Sequence, residues 1–227
     1  MNHNTIIFLD FETGSRNSYK TQPIQLAAVA IHSRRLEIIE GSEFNSLMKP
    51  YSDEEAEKLG LDKIEDEALK VNGKTREEIA LAPSPKVVWG KFVNYVNSFN
   101  YKKSIWTAPI CAGFNNNGFD DNIINRLCGS EPYKFGPFDN TFCKQGLFHP
   151  INNIDLMKIV FNWFENNQEL RSMSMDNLRD YLGMSKENAH DALQDVKDGA
   201  NVLIKFMKLH RNFAEKVKFK NAFAQKT

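Results

Sequence analysis

The sequence lacks the run of about 18 apolar residues that a membrane span needs, so no crossing helix is expected. Its start, "MNHNTIIFLD", has neither a basic n-region nor a small-residue cleavage site, so no secretory signal is expected and a cytoplasmic location is. Cysteine is scarce: Cys111, Cys128 and Cys143 are the only three, and no pair has C-x-x-C spacing. That excludes a disulfide framework and a zinc knuckle, and fits idle thiols in a reducing compartment. Net charge is also missing, since 29 basic residues balance 29 acidic ones. A broad electrostatic coat for nucleic acid is therefore not expected. Repeats and low-complexity tracts are absent as well.

What is present is enough apolar material for one core, 41% of 227 residues. The charge, though balanced, is unevenly spread. The segment "SDEEAEKLGLDKIEDE" (52–67) is acidic and the tail "KLHRNFAEKVKFKNAFAQKT" (208–227) is basic. Both read as solvated helix faces or a frayed end, with a polyanion grip as the sharper reading of the tail. The expected organisation is a single domain over 1–209, followed by a basic tail over 210–227 that is helical or frayed.

"TIIFLDF" reads as a buried strand, and "PIQLAAVAI" and "LEIIEGSEFNSLMKP" as further strands of a meander. Two short acidic helices are expected after Pro50. "SPKVVWGKFVNYVNSF" carries a helical stripe of Val88, Phe92, Tyr95, Val96 and Phe99. "APICAGF" reads as another strand and "GFDDNIINRL" as a helix start. "CGSEPYKFGPFDNTFCKQGLFHP" reads as a long loop, and long loops often carry function. Its Tyr133, Phe135 and Phe138 are candidates to stack on bases, whereas Phe161 and Trp163 read as core. "NIDLMKIVFNWF" and "MDNLRDYLG" look helical. "DALQDVKDGANVLIKFMKL" is a helix with Leu193, Val196, Ala200, Leu203 and Met207 on one stripe. Strands first, then strand and helix alternating, predict an α/β fold: a mixed sheet flanked by helices.

Three pieces carry chemistry. In "IIFLDFETGS", Asp10 and Glu12 are two apart on a strand and so share a face, while Phe11 points the other way. Paired carboxylates repel unless a cation lies between them, and Mg²⁺ or Mn²⁺ prefers such oxygens. Two ordinary acids at an exposed strand end would look the same. In "CAGFNNNGFDDNIINRL", a strand runs through asparagines and glycine, which tolerate unusual backbone angles, into a helix opened by Asp120 and Asp121. Either acid could simply cap that helix. In "ENAHDALQDVKDGANVL", Asp191 with Gln194 resembles a capping box, with Asp195 in the first turn. His190 and Asp195 converge only if His190 precedes the helix. Asp155 reads as an N-cap. Asp121 reads as a cap or a solvent-facing acid, and Asp198 as a less favoured neighbour of Asp195.

The ordered set D-x-E, then N-x-x-x-D ("NNGFD"), then H-x-x-x-x-D ("HDALQD") resembles the DEDDh family of 3′-to-5′ exonucleases. The likeness runs from about residue 5 to 209, and "FNNNGFDDNIINR" is similar to the second motif of bacterial exonuclease I. The resemblance implies a ribonuclease-H-like fold. It implies two divalent ions, Mg²⁺ or Mn²⁺, held by Asp10, Glu12, Asp120 and Asp195, with Glu12 also catalytic and His190 as general base. It implies substrate contacts at Thr13, Gly14 and Asn116, and release of nucleoside 5′-monophosphates from the 3′ ends of single-stranded DNA. "TGS" after Glu12 departs from the commoner Thr-Thr-Gly or Thr-Ser-Gly. Two alternatives stand beside this reading. One is an exoribonuclease related to RNase T or oligoribonuclease, and the other is a non-catalytic nucleic-acid-binding module on the same fold.

Overall fold

The computed structural model describes residues 4–137, 146–185 and 191–217. Phe138, Cys143, His190 and the end of the basic tail lie outside them. The spine is β1 (Ile6–Thr13) and β2 (Pro23–His32), paired antiparallel with Asp10 opposite Ala27 and Glu12 opposite Gln25. β3 (Glu37–Ile38) and β4 (Phe44–Leu47) both pair with β2. On the other side of β1, β5 (Ile110–Gly113) and β6 (Asn153–Asp155) add parallel strands. The strand order β3-β2-β1-β5-β6 makes the mixed sheet that the sequence implies.

The alternation along β1 sorts its side chains between two layers. Ile7, Leu9 and Phe11 pack with α4 (Pro85–Ser98) and α5 (Asp120–Gly129). Ile6 and Phe8 pack with α6 (Leu156–Phe164), α7 (Met175–Leu182) and α8 (Ala192–Val217). Asp10 and Glu12 continue the Ile6–Phe8 face, so they stand on the side that α8 crosses. Val196, Ala200 and Leu203 of the predicted stripe are buried there, with Leu193 and Met207 packed at its edge.

α8 comes this close because residue 199 is glycine. A Cβ there would lie 2.5 Å from the Phe8 ring, which is itself buried. Helix propensity alone would favour alanine by about 1 kcal/mol. Overpacking a buried ring costs about 1–3 kcal/mol and wins. Gly199→Ala is therefore expected to lower the denaturation midpoint in urea, and an unchanged or raised midpoint would contradict this packing.

Several expectations need correction. The acidic stretch forms three short helices with its flank, not two: α1 (Asp53–Lys58), α2 (Asp66–Val71) and α3 (Arg76–Ala80). Ser52 with Glu55 and Thr75 with Glu78 close capping boxes that start α1 and α3. "NID" is a strand edge before it becomes a helix cap: Asp155 ends β6 and also accepts from the Met157 N–H that opens α6. Asp191 caps α8, accepting from the Leu193 and Gln194 N–H groups. The Gln194 side chain does not reach back to the cap but donates to Asp198. Among the described residues no helix is long and apolar enough to cross a membrane.

Candidate active site

Four acids arrive from three elements. Asp10 and Glu12 leave the sheet face near the end of β1, and Asp195 lies in the first turn of α8 above them. β5 runs beside β1 only as far as the Phe8–Ala112 pair. Beyond it the N-terminus of α5 comes in, and the Phe11 N–H donates to Asp120 Oδ1 at 3.2 Å. That bond places Asp120, which is buried, beside Asp10. The junction needs its small and amide residues. A Cβ on Gly113 would press on Asn116 and the Leu9 carbonyl, and Asn115 takes the left-handed φ of 60°.

The electrostatics of the cluster are lopsided. Asp10 is pushed up to about 7, first by burial and then by the charge of Asp195; the Phe11 N–H and Arg179 oppose this. Glu12 is pushed up to about 8, first by burial and then by Asp10 and Asp195, with Lys74 opposing. Asp120 is raised well above the usual carboxylate range, again by burial first and Asp10 second. Positive charge beside such acids relieves this repulsion, and Arg179 and Lys74 relieve only part of it.

Among the described residues, no three His, Cys, Asp or Glu side chains stand ready as a metal cage. The fit to divalent ions is one of donor chemistry and charge: hard carboxylate oxygens, crowded and under-neutralised. Asp195 Oδ1 meets Arg179 Nη2 at 2.7 Å.

The expected substrate residues separate. Thr13 lines a cleft of about 450 Å³ with Ser15, Arg16, Glu65, Asn72 and Phe119. Gly14 is buried, its N–H bonded to the Gln22 carbonyl and its carbonyl accepting from Glu65 N–H. A side chain there would press on the terminal methyl of Ile64, so packing of the segment before α2 favours glycine in "TGS". Asn116 is fully buried, and its amide donates to Asn153 Oδ1 at 3.0 Å. Its side chain braces the β5–α5 junction against β6.

The aromatic expectations are largely reversed. Tyr133 is 3% exposed, packed on Tyr51 and Phe135 with the Arg126 guanidinium over its ring. Phe135 leans on the same core. The described part of their loop covers the sheet, with Trp89 Nε1 donating to the Gly136 carbonyl. Phe161 and Trp163 are 53% and 46% exposed, because α6 turns Leu156 and Val160 inward instead. Trp163 lines a cavity of about 340 Å³ with Phe206, Met207, His210 and Arg211, which contains no acid.

Asp155 is the expected N-cap, and it also accepts from the Asn115 N–H. Asp121 accepts from Asn153 Nδ2 at 3.0 Å. Asp198 is held by Arg179. His190 lies outside the described residues.

Sequence reasoning missed three residues. Phe119 stands beside Asp120 in the second motif, and that adjacency was its only signal. Lys74 comes from the turn between α2 and α3, 3.8 Å from Asp191. Arg179 gave no signal at all.

With residues 7–203 matching the model of the RNase_T exonuclease family, the chain belongs to that family. Among solved structures it is similar to cell-death related nuclease 4 (CRN-4), with 18% identity and a TM-score of 0.66 over 91% of this chain and 64% of that one. It is similar to E. coli exonuclease I in complex with a dT13 oligonucleotide, with 18% identity and a TM-score of 0.67 over 94% of this chain and 43% of that one. The zinc-ion-bound E. coli exonuclease I–ssDNA complex gives 20% identity and a TM-score of 0.66, over 94% of this chain and 42% of that one. These likenesses establish the ribonuclease-H-like fold. The chain spans less than two thirds of the length of each of these three proteins. None of the curated protein sequences compared with it matches.

Proposed function

We propose that this chain is a 3′-to-5′ exonuclease that uses two divalent ions, Mg²⁺ or Mn²⁺, to release nucleoside 5′-monophosphates from single-stranded DNA. The observation that carries this reading is the convergence of Asp10, Glu12, Asp120 and Asp195, with three of them raised by burial and by one another. These four acids would hold the ions. Bound there, the ions would supply an activated water and neutralise charge at the scissile phosphate. His190, next in the chain before the Asp191 cap, would take the proton from that water. A histidine needs little tuning for this step, because its ordinary pKa is near the working pH. Glu12 would both hold an ion and orient the attacking water.

The cleft beside Thr13 supports binding of the terminal nucleotide next to the acids. There Phe119 offers a half-buried ring for a base, with Thr13 at the same wall. Base–aromatic stacking is worth about 1–3 kcal/mol, so Phe119→Ala is expected to raise KM for an oligonucleotide about tenfold, with a smaller change in kcat. An unchanged KM would remove Phe119 from the substrate site.

The preference for DNA draws support from the oligonucleotide-bound exonuclease I structures. Its test is a comparison of initial rates on DNA and RNA strands of matched sequence. Faster hydrolysis of DNA supports the reading. Faster hydrolysis of RNA overturns it in favour of an RNase T-like or oligoribonuclease-like enzyme. Binding without hydrolysis of either strand would indicate a non-catalytic module.

A further inference from the structure

We infer that Arg179 is a positioning residue: it fixes the Asp195 carboxylate at the ion site by pinning it to Asp198, one turn further along α8. The inference rests on the nuclease reading above and names a residue which that reading does not use.

Arg179 lies in α7 and is 1% exposed, among the largest fully buried side chains of the protein. Its guanidinium is spent on carboxylates. Nη2 donates to Asp195 Oδ1 at 2.7 Å, Nε to Asp198 Oδ2 at 3.0 Å, and Nη1 to Asp176 Oδ1 at 3.2 Å. Asp198 is fixed from its other oxygen as well, accepting from Gln194 Nε2 at 2.8 Å. The chain of contacts therefore runs from Gln194 through Asp198 and Arg179 to Asp195. Every group except Arg179 stands on the first turns of α8.

This arrangement has two consequences. First, a planar fork can grip two carboxylates one helical turn apart, whereas an ammonium is a single point of charge. The Arg179 fork fixes the direction of the Asp195 side chain as well as its charge. Second, the pair is largely out of solvent, where an arginine gives up its partners only at high cost. Asp195 comes from α8, which is set against β1 by side-chain packing. Asp10 and Glu12 ride on the central strand, and Asp120 is tied to the Phe11 N–H. At Asp195 it is the Arg179 guanidinium that grips the carboxylate, at 2.7 Å. A purely structural clasp of α7 to α8 would be met by the Asp198 contact, whereas the shortest of the three bonds goes to Asp195.

The test is Mn²⁺ binding measured by calorimetry on the whole chain, together with kcat and KM on a short DNA strand. Arg179→Lys keeps the charge and loses the fork. Because that variant leaves a buried pair imperfectly satisfied, a second one, Arg179→Leu with Asp198→Leu, removes both buried charges together and keeps the apolar packing. Loss of a residue that orients a metal ligand costs about 10–100-fold in affinity. Both variants are expected to bind Mn²⁺ at least about tenfold more weakly, to lose kcat in parallel, and to keep KM within about twofold. Unchanged Mn²⁺ affinity in both, with near-ultraviolet circular dichroism preserved, would leave Arg179 a structural clasp and overturn the inference. A wild-type chain that binds no Mn²⁺ would overturn the nuclease reading and this inference with it.

Discussion

Asp10→Asn is expected to fold normally and to lose nuclease activity by about 10³-fold or more, because two-metal hydrolysis depends on each carboxylate that holds an ion. Asp10 is central to the cluster: its charge bears on both Glu12 and Asp120, and Asp195 bears on it. The substitution keeps the size of the side chain and removes only its charge. The backbone around it is held independently, by pairing of β1 with β2 and by the Phe11 N–H bond to Asp120. Loss of activity with retained circular dichroism is the predicted outcome. Activity within about tenfold of wild type would show that the reaction does not run through this cluster.

The same substitution is expected to stabilise the ion-free protein at alkaline pH. In chelator, the unfolded chain ionises Asp10 near 3.8 and Glu12 near 4.5, while the folded chain holds those protons up to about 7 and about 8. Between these limits the unfolded state has released protons that the folded state still binds. Stability from these groups is full below pH 4 and falls as pH rises through 7 and 8. Asn carries no charge and escapes the Asp10 share of that loss. In excess EDTA the melting temperature of Asp10→Asn should therefore gain on wild type between pH 5 and pH 8. Mn²⁺ at pH 8 should reverse the order, since an ion bound only by the folded state stabilises it by mass action. A difference between the two proteins that stays flat from pH 5 to pH 8 would contradict the repulsion.

Much of this site was legible in the sequence because it depends on short-range periodicity. The apolar run before Asp10 marks a buried strand, and i, i+2 spacing puts Asp10 and Glu12 on one face. Asp191 marks the start of α8 by capping chemistry. The asparagines before Asp120 mark a bent junction, which Asn115 takes up with its left-handed backbone. What was not legible depends on distant partners. Tyr133 looked like a platform because its loop is rich in Gly and Pro, yet Arg126 and Tyr51 draw it into the core. Phe161 and Trp163 looked like core because they are large, but α6 has few turns and buries only Leu156 and Val160. Asn116 shares its motif with Asp120, but the amide is turned inward by β6, a strand too short for any periodicity to reveal. Arg179 is one basic residue among 29, and only the meeting of α7 and α8 gives it three carboxylates.

The proposed reaction is metal-dependent removal of nucleotides from a 3′ end. A single-stranded DNA oligonucleotide labelled at its 5′ end, incubated with the whole chain and Mg²⁺, tests it most directly. The predicted result is a ladder that shortens one nucleotide at a time towards the label, and that stops in excess EDTA. Immediate release of the labelled terminal nucleotide, or an unchanged ladder in EDTA, would contradict it.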